Sequence, residues 1–196
     1  MPAYVFDKLL SQGIRAGQVP ARTKKARVWF RDAAGSLGRA NRQQIVGDKD
    51  RLRSRLLVGG MYMFFYDPKY KKELPYYDRF PLVVVLDITK DGFLGLNLHY
   101  LPPVLRAKLM DALYTIANNK KFDETTRMKV SYDMLKSASK FRGFKPCIKR
   151  YLNEHLQSKF AYVNATEWDI ALFLPTEQFK KAGKSEVWAD SKAGMR

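Results

Sequence analysis

Cysteine is almost absent from this 196-residue chain, Cys147 being the only one. That excludes an intramolecular disulfide and a thiolate zinc cluster, and it fits a reducing, cytoplasmic setting. Histidine is nearly as scarce, with only His99 and His155. Neither has a second histidine three or four residues away or a neighbouring cysteine, so both read as packed side chains and no metal is expected. Cys147 follows Pro146 at an expected helix start, where a thiol pKa can fall, yet a small buried thiol is the simpler reading. No apolar stretch approaches the roughly 18 residues that span a bilayer. The N-terminal MPAYVFDKLLSQGIRAG also lacks the basic-then-apolar order of a secretory signal, so no membrane partner is expected. Phosphate-binding motifs are missing too: GSLGRAN and GGMYM have neither P-loop spacing nor the setting of a dinucleotide fingerprint. Glu73, Asp87 and Asp91 beside Lys72 come nearest to a Mg²⁺ cluster, without a recognisable spacing. These absences point away from an enzyme and imply no cofactor.

Acid is the other shortage: 19 Asp and Glu stand against 36 Lys and Arg, a formal charge of +17 and a pI near 9.9. The excess is uneven. Residues 1–56 carry 13 basic and 4 acidic side chains, net +9, and residues 102–160 carry 13 and 5, net +8. Residues 57–101 and 161–196 balance at 5 of each. Two concentrated cationic blocks suit a polyanion. With 46% hydrophobic and 28% charged residues, the chain is otherwise of ordinary globular composition and long enough to bury a sizeable core.

Both basic blocks carry helical patterns. Val5, Leu9 and Leu10 share one side before Gly13 and Gly17 weaken the period, and Pro20 is placed to open a second helix at its first turn. Lys24, Lys25, Arg27 and Arg31 then surround apolar Val28, Trp29 and Phe30. In DKDRLRSRLL, Arg51, Arg53 and Arg55 alternate with Leu52, Ser54 and Leu56, which fits a short strand or a helix end. PPVLRAKLMDALYTIANN repeats Leu105, Leu109, Leu113 and Ile116 at helical spacing and turns Arg106 and Lys108 outward. DETTRMKVSYDMLKSASK opens on Asp123 as an N-cap. KPCIKRYLNEHLQSKF reads as a further helix, with Ile148, Leu152, His155 and Leu156 on one stripe and Lys149, Arg150 and Lys159 outside.

The neutral centre changes period. Apolar runs predict strands near 61–66, 82–88 and 93–100, with Asp91-Gly92 as a hairpin turn whose glycine supplies a positive φ. The apolar WDIALFLP, residues 168–175, is expected to return as a fourth strand. The fold class is α+β: a small bent antiparallel β-sheet or SH3-like barrel core wrapped by basic α-helices. Residues 1–56 form a basic, mainly helical N-terminal region. Residues 57–101 and 168–175 form the β core, 102–160 an inserted helical region, and 176–196 a polar tail. Neutrality of the centre follows from burial, since apolar area stabilises by roughly 25 cal/mol per Å² while a buried charge is costly. Tyr76 and Tyr77, between Pro75 and Asp78, are expected to pack with their hydroxyls wet; stacking on a base is their other role.

The candidate DNA contacts are Arg22, Lys24, Lys25, Arg27, Arg31, Arg39, Arg42, Arg51, Arg53 and Arg55 in the first block, with Lys145, Lys149 and Arg150 in the second. Such residues neutralise phosphates, and without a zinc-finger, zipper or RNA-recognition signature the binding is expected to ignore sequence. A structural component of a larger assembly is the alternative, its basic faces meeting acidic neighbours and Trp188 anchoring an interface.

Four stretches, GGMYMFFYDPKYKKELPYYDRFPLVVVLDI, GFLGLNLHYLPPVLRAKLMDALY, SKFRGFKPCIKRYL and EWDIALFLP, resemble the DNA end protector family of T4-like tailed bacteriophages, minor virion proteins of head completion. The resemblance implies attachment to the ends of packaged linear double-stranded DNA and passage from the virion into the host cytoplasm. It also implies a block to host exonuclease, with other phage head, neck or tail proteins as partners. It assigns no end-specific residue.

Overall fold

The computed structural model describes residues 4–20, 22–117 and 142–194. The helix expected over DETTRMKVSYDMLKSASK lies outside the described residues. Helix α1, Val5–Arg15, buries Phe6, Leu9 and Gly13. It ends as a glycine-stopped helix does: Gly17 takes φ 72°, and the Gln18 N–H reaches back to the Gly13 carbonyl at 2.8 Å. The Phe30 ring lies so close to Gly13 that a Cβ there would collide with it, which is how α1 seats on the next helix. That helix, α2, spans Lys24–Gly35 and starts at Thr23, whose hydroxyl accepts the Ala26 N–H at 3.1 Å. Pro20 therefore lies in a turn and opens nothing, because the capping hydroxyl three residues on satisfies an otherwise orphaned donor. Helix α3, Arg42–Gly47, is capped in the same way by Asn41.

Eight strands follow: β1 Leu52–Arg53, β2 Met61–Met63, β3 Tyr77–Asp78, β4 Leu82–Thr89, β5 Gly92–Asn97, β6 Ile148–Leu152, β7 Phe160–Val163 and β8 Phe179–Lys180. Six make one antiparallel sheet in the order β1-β7-β2-β4-β5-β6, and β3 pairs with β8 apart from it. The sheet stays open, with β1 and β6 at its ends, so the α+β class holds and the barrel does not. The remaining α-helices among the described residues are α4 Pro103–Ala117, α5 Trp168–Phe173 and α6 Lys184–Ala193.

Three expected elements change identity. WDIALFLP is helix α5 over its first six residues instead of a strand. A six-residue apolar run has no readable period, and here it is buried by α2 and α4 as a helix. The stretch expected as a helix around Ile148 and Leu152 becomes the edge strand β6, followed by β7, because β5 offers it a free ladder from Gly92 to Leu96. Over its described residues, 176–194, the expected tail carries β8 and α6, with Val187 fully buried. The β4–β5 hairpin forms as expected around Lys90 and Asp91, but Gly92 is not among the positive-φ residues. Its role is close approach: a Cβ at Gly92 would run into the Tyr151 carbonyl of β6.

Period-2 alternation splits the core across the sheet. Met61, Met63, Leu82, Val84 and Leu96 point to the side where Phe6, Leu9, Phe30, Ile45 and Ile170 of the helices lie. Tyr62, Phe64, Val83, Val85, Phe93, Tyr151 and Phe160 fill the other side.

Candidate nucleic-acid interface

Ion pairs withdraw several of the candidate cations from solvent. Arg27 and Arg31, one turn apart on α2, are both buried and converge on Asp169 in the first turn of α5, at 3.0 and 2.7 Å. Asp111 of α4 meets both guanidinium groups at 2.9 Å. Arg51 is buried on Glu167 at 2.6 and 3.0 Å, with its guanidinium 4.3 Å from the centre of the Phe6 ring. Glu167 also accepts the Asn164 N–H, so one carboxylate orders both the arginine and the turn that leads into α5. Arg42 donates to the carbonyls of Thr176 and Glu177 at 2.8 and 2.7 Å. These four side chains tie the N-terminal helices to the C-terminal third of the chain, and their guanidinium groups face protein oxygens.

Arg106, expected outside, is fully buried, a correction with a clear cause. Its planar fork donates to the carbonyls of Leu101, Leu172 and His99 at 2.7, 2.8 and 3.2 Å and pairs with Glu177 at 2.7 Å. Burial lowers its pKa, and Glu177 opposes the fall. Trp188 is likewise an internal anchor and not a free tail residue: its indole N–H donates to the His99 carbonyl at 2.8 Å, beside the Arg106 guanidinium.

A second buried polar layer lies under β5. His99 Nδ1 is 2.7 Å from Asp78 Oδ2, and its Nε2 is 3.1 Å from the Thr176 hydroxyl. Asn97 donates to Asp78 and to the Tyr151 hydroxyl at 3.2 and 3.1 Å. Burial alone would raise the Asp78 carboxyl, but the charge and hydrogen bond of His99, with donors from Phe80 and Asn97, hold it below its ordinary value. The order carboxylate, imidazole, hydroxyl invites comparison with a nucleophile relay. His99 and Thr176, however, expose no surface, and the three serve to join β3, the turn after β5 and the segment before β8. Cys147 is buried and forms no disulfide, in keeping with the simpler reading of a small buried thiol, and burial pushes its thiol up to about 12.

What remains outside is a smaller set. Arg22, Lys24, Lys25, Arg39, Arg55 and Lys145 are exposed, and no acidic partner meets them among the described residues. Arg53 is exposed, donates to the carbonyls of Asp50 and Leu52, and lies over the Tyr162 ring. Arg150 is exposed and pairs with Asp91 through both carboxylate oxygens, at 3.0 and 2.7 Å.

The structure also assembles a feature that no single stretch of sequence announced. The β5–β6 edge, β3 and the 66–74 segment enclose a cleft of about 510 Å³. Tyr76 and Tyr77 line it, as do Lys149 and Arg150, so both stacking candidates and two candidates from the second basic block meet there. Tyr66, Tyr70, Tyr100, Tyr151 and Lys69 join them. The signal for these was the density of tyrosine and lysine in YDPKYKKELPYY, which the zero net charge of 57–101 conceals. The Lys149 ammonium is half-buried, 4.2 Å from the centre of the Tyr100 ring, and burial lowers its pKa. Among the described residues no group of three or more His, Cys, Asp or Glu is arranged to hold a metal ion.

Comparison with curated proteins and with solved structures gives no match. A family match covers nearly the whole chain, residues 5–192, taking in α1, the entire sheet and most of α6. With both basic blocks and the tyrosine cleft inside that span, the chain belongs to the family described as the phage T4 terminal DNA protecting protein.

Proposed function

We propose that this protein binds the ends of linear phage duplex DNA without reading their sequence, and so shields them from host exonuclease. It acts by occupancy and not by catalysis. It travels in the virion and enters the host cytoplasm with the DNA. The observation that carries this reading, beside the family itself, is the division of the cations: after the buried pairs are satisfied, Arg22, Lys24, Lys25, Arg39, Arg55 and Lys145 remain exposed and without a carboxylate among the described residues. Cations of that kind neutralise phosphates and release counterions regardless of base identity. The same faces suit acidic surfaces of neighbouring head, neck or tail subunits.

Fluorescence anisotropy on an arbitrary duplex tests the electrostatic part. The logarithm of the affinity is expected to fall with the logarithm of salt, by about 0.9 for each phosphate contacted. Protection of linear DNA from a processive exonuclease tests the rest. A flat salt response, or bound linear DNA degraded at the rate of free DNA, would overturn the reading and leave a role in virion assembly.

A further inference from the structure

We propose that the tyrosine-walled cleft receives the unpaired terminal nucleotide of a DNA strand, its base against the tyrosine rings and its phosphate against Lys149 and Lys69. This rests on the function proposed above and adds where the end is held. The cleft's volume of about 510 Å³ falls inside the roughly 300–1,000 Å³ typical of small-ligand sites. Tyr70 stands 57% exposed at its rim, and Tyr76, Tyr77 and Tyr100 line the walls. The charges inside are sorted. Asp91 is neutralised by Arg150 and Asp78 is hydrogen-bonded by His99 and Asn97, whereas Lys149 and Lys69 have no carboxylate among the described residues. Each ammonium instead lies over a tyrosine ring, Lys149 over Tyr100 at 4.2 Å and Lys69 over Tyr70 at 5.6 Å. Holding the half-buried Lys149 without a counter-ion costs free energy that an entering phosphate would offset.

The geometry gives a reason for choosing ends. Inside a duplex each base is stacked above and below, so no π-face is free for a protein ring. Only a frayed or overhanging terminal base offers one, and a base on an aromatic ring binds without regard to which base it is. A cleft built of tyrosine and lysine therefore discriminates an end from an interior while ignoring sequence.

The test compares three probes on the full chain: a duplex with a short single-stranded overhang, a closed circular duplex of equal length, and thymidine 5′-monophosphate as competitor. The variants are Lys69→Ala with Tyr70→Ala, both at exposed positions that leave the core intact, and Lys149→Met, which keeps the buried stem. The wild type is expected to bind the overhang duplex about tenfold more tightly than the circle, and the nucleotide to compete for that excess. Both variants are expected to lose the excess and keep the affinity for the circle. Equal wild-type affinity for the two duplexes, or an excess that survives in Lys69→Ala with Tyr70→Ala, overturns the cleft while general DNA binding stands. Failure to bind either duplex overturns the proposed function and the cleft together.

Discussion

Met61, Met63, Leu82 and Val84 leave the central strands on one side, Tyr62, Phe64, Val83 and Val85 on the other, and the two sides are closed by different means. The first is roofed by helices, and it is there that arginine and carboxylate pairs are buried: Arg27 and Arg31 on Asp169, Arg51 on Glu167, Arg106 on Glu177. The second is closed by aromatic rings packed on one another. Phe64 meets Phe93, Tyr151 and Phe160 edge-on at 5.2 to 5.7 Å, and Phe93 stacks on Tyr151 at 5.1 Å. Tyr66 and Tyr151 of this cluster, with further rings beyond it, line the cleft. Positive charge thus serves two ends in one molecule: under the helices it is consumed in holding the fold together, and at the cleft and the α2 start it stays available.

The sharpest way to break this contrast is on the helical side. Arg106→Ala would strand Glu177 and three carbonyls, and it is expected to cost about 3–5 kcal/mol in urea unfolding. On the aromatic side, Phe64→Ala removes the ring at the centre of the cluster and is expected to cost about 3 kcal/mol, with the cleft disordered as a consequence. A smaller effect comes from pH. Asp78 and Glu177 both have native pKa values below their ordinary ones, burial opposing in each case and His99 acting first in favour, followed for Glu177 by Arg106. Their contribution is complete above the unfolded value of about 4 and lost as the pH falls through the lower native values. Melting temperature is therefore expected to hold from pH 7 to 5 and fall below about 4, with a shallower fall in Asp78→Asn. The smallest change in stability, within about 0.5 kcal/mol, is expected from Arg22→Ala, Lys24→Ala and Lys25→Ala combined. That variant should nonetheless bind DNA more weakly and with a lower salt slope, since its side chains are the uncommitted kind.

Some of this was legible in the chain and some was not, for identifiable reasons. Helices α1, α2 and α4 and the β4–β5 hairpin announce themselves through period and turn residues. Helix α5 hid in a run too short to show a period, although Asn164 and Glu167, spaced as a capping box, marked the start of the turn before it. Strand β6 was mistaken because Ile148 and Leu152 fall four apart by coincidence. What decides its state is the ladder to β5, a partner some 55 residues away. The fate of each arginine was the least readable, for Arg27 and Lys24 look alike until Asp169 arrives 142 positions later to claim one of them. The tyrosine cleft was half visible: Tyr76, Tyr77, Lys149 and Arg150 each drew notice, and the pairing of β6 with β5 is what brings the last two to the tyrosines.

Strand β6 is also the last strand of its sheet, and an outermost strand invites a second chain to add itself by backbone hydrogen bonds. Here the middle of that strand carries Lys149 and Arg150, two cations in succession, and two copies brought edge to edge would set like charges against each other. Two side chains that line the cleft thereby also discourage self-polymerisation along this edge.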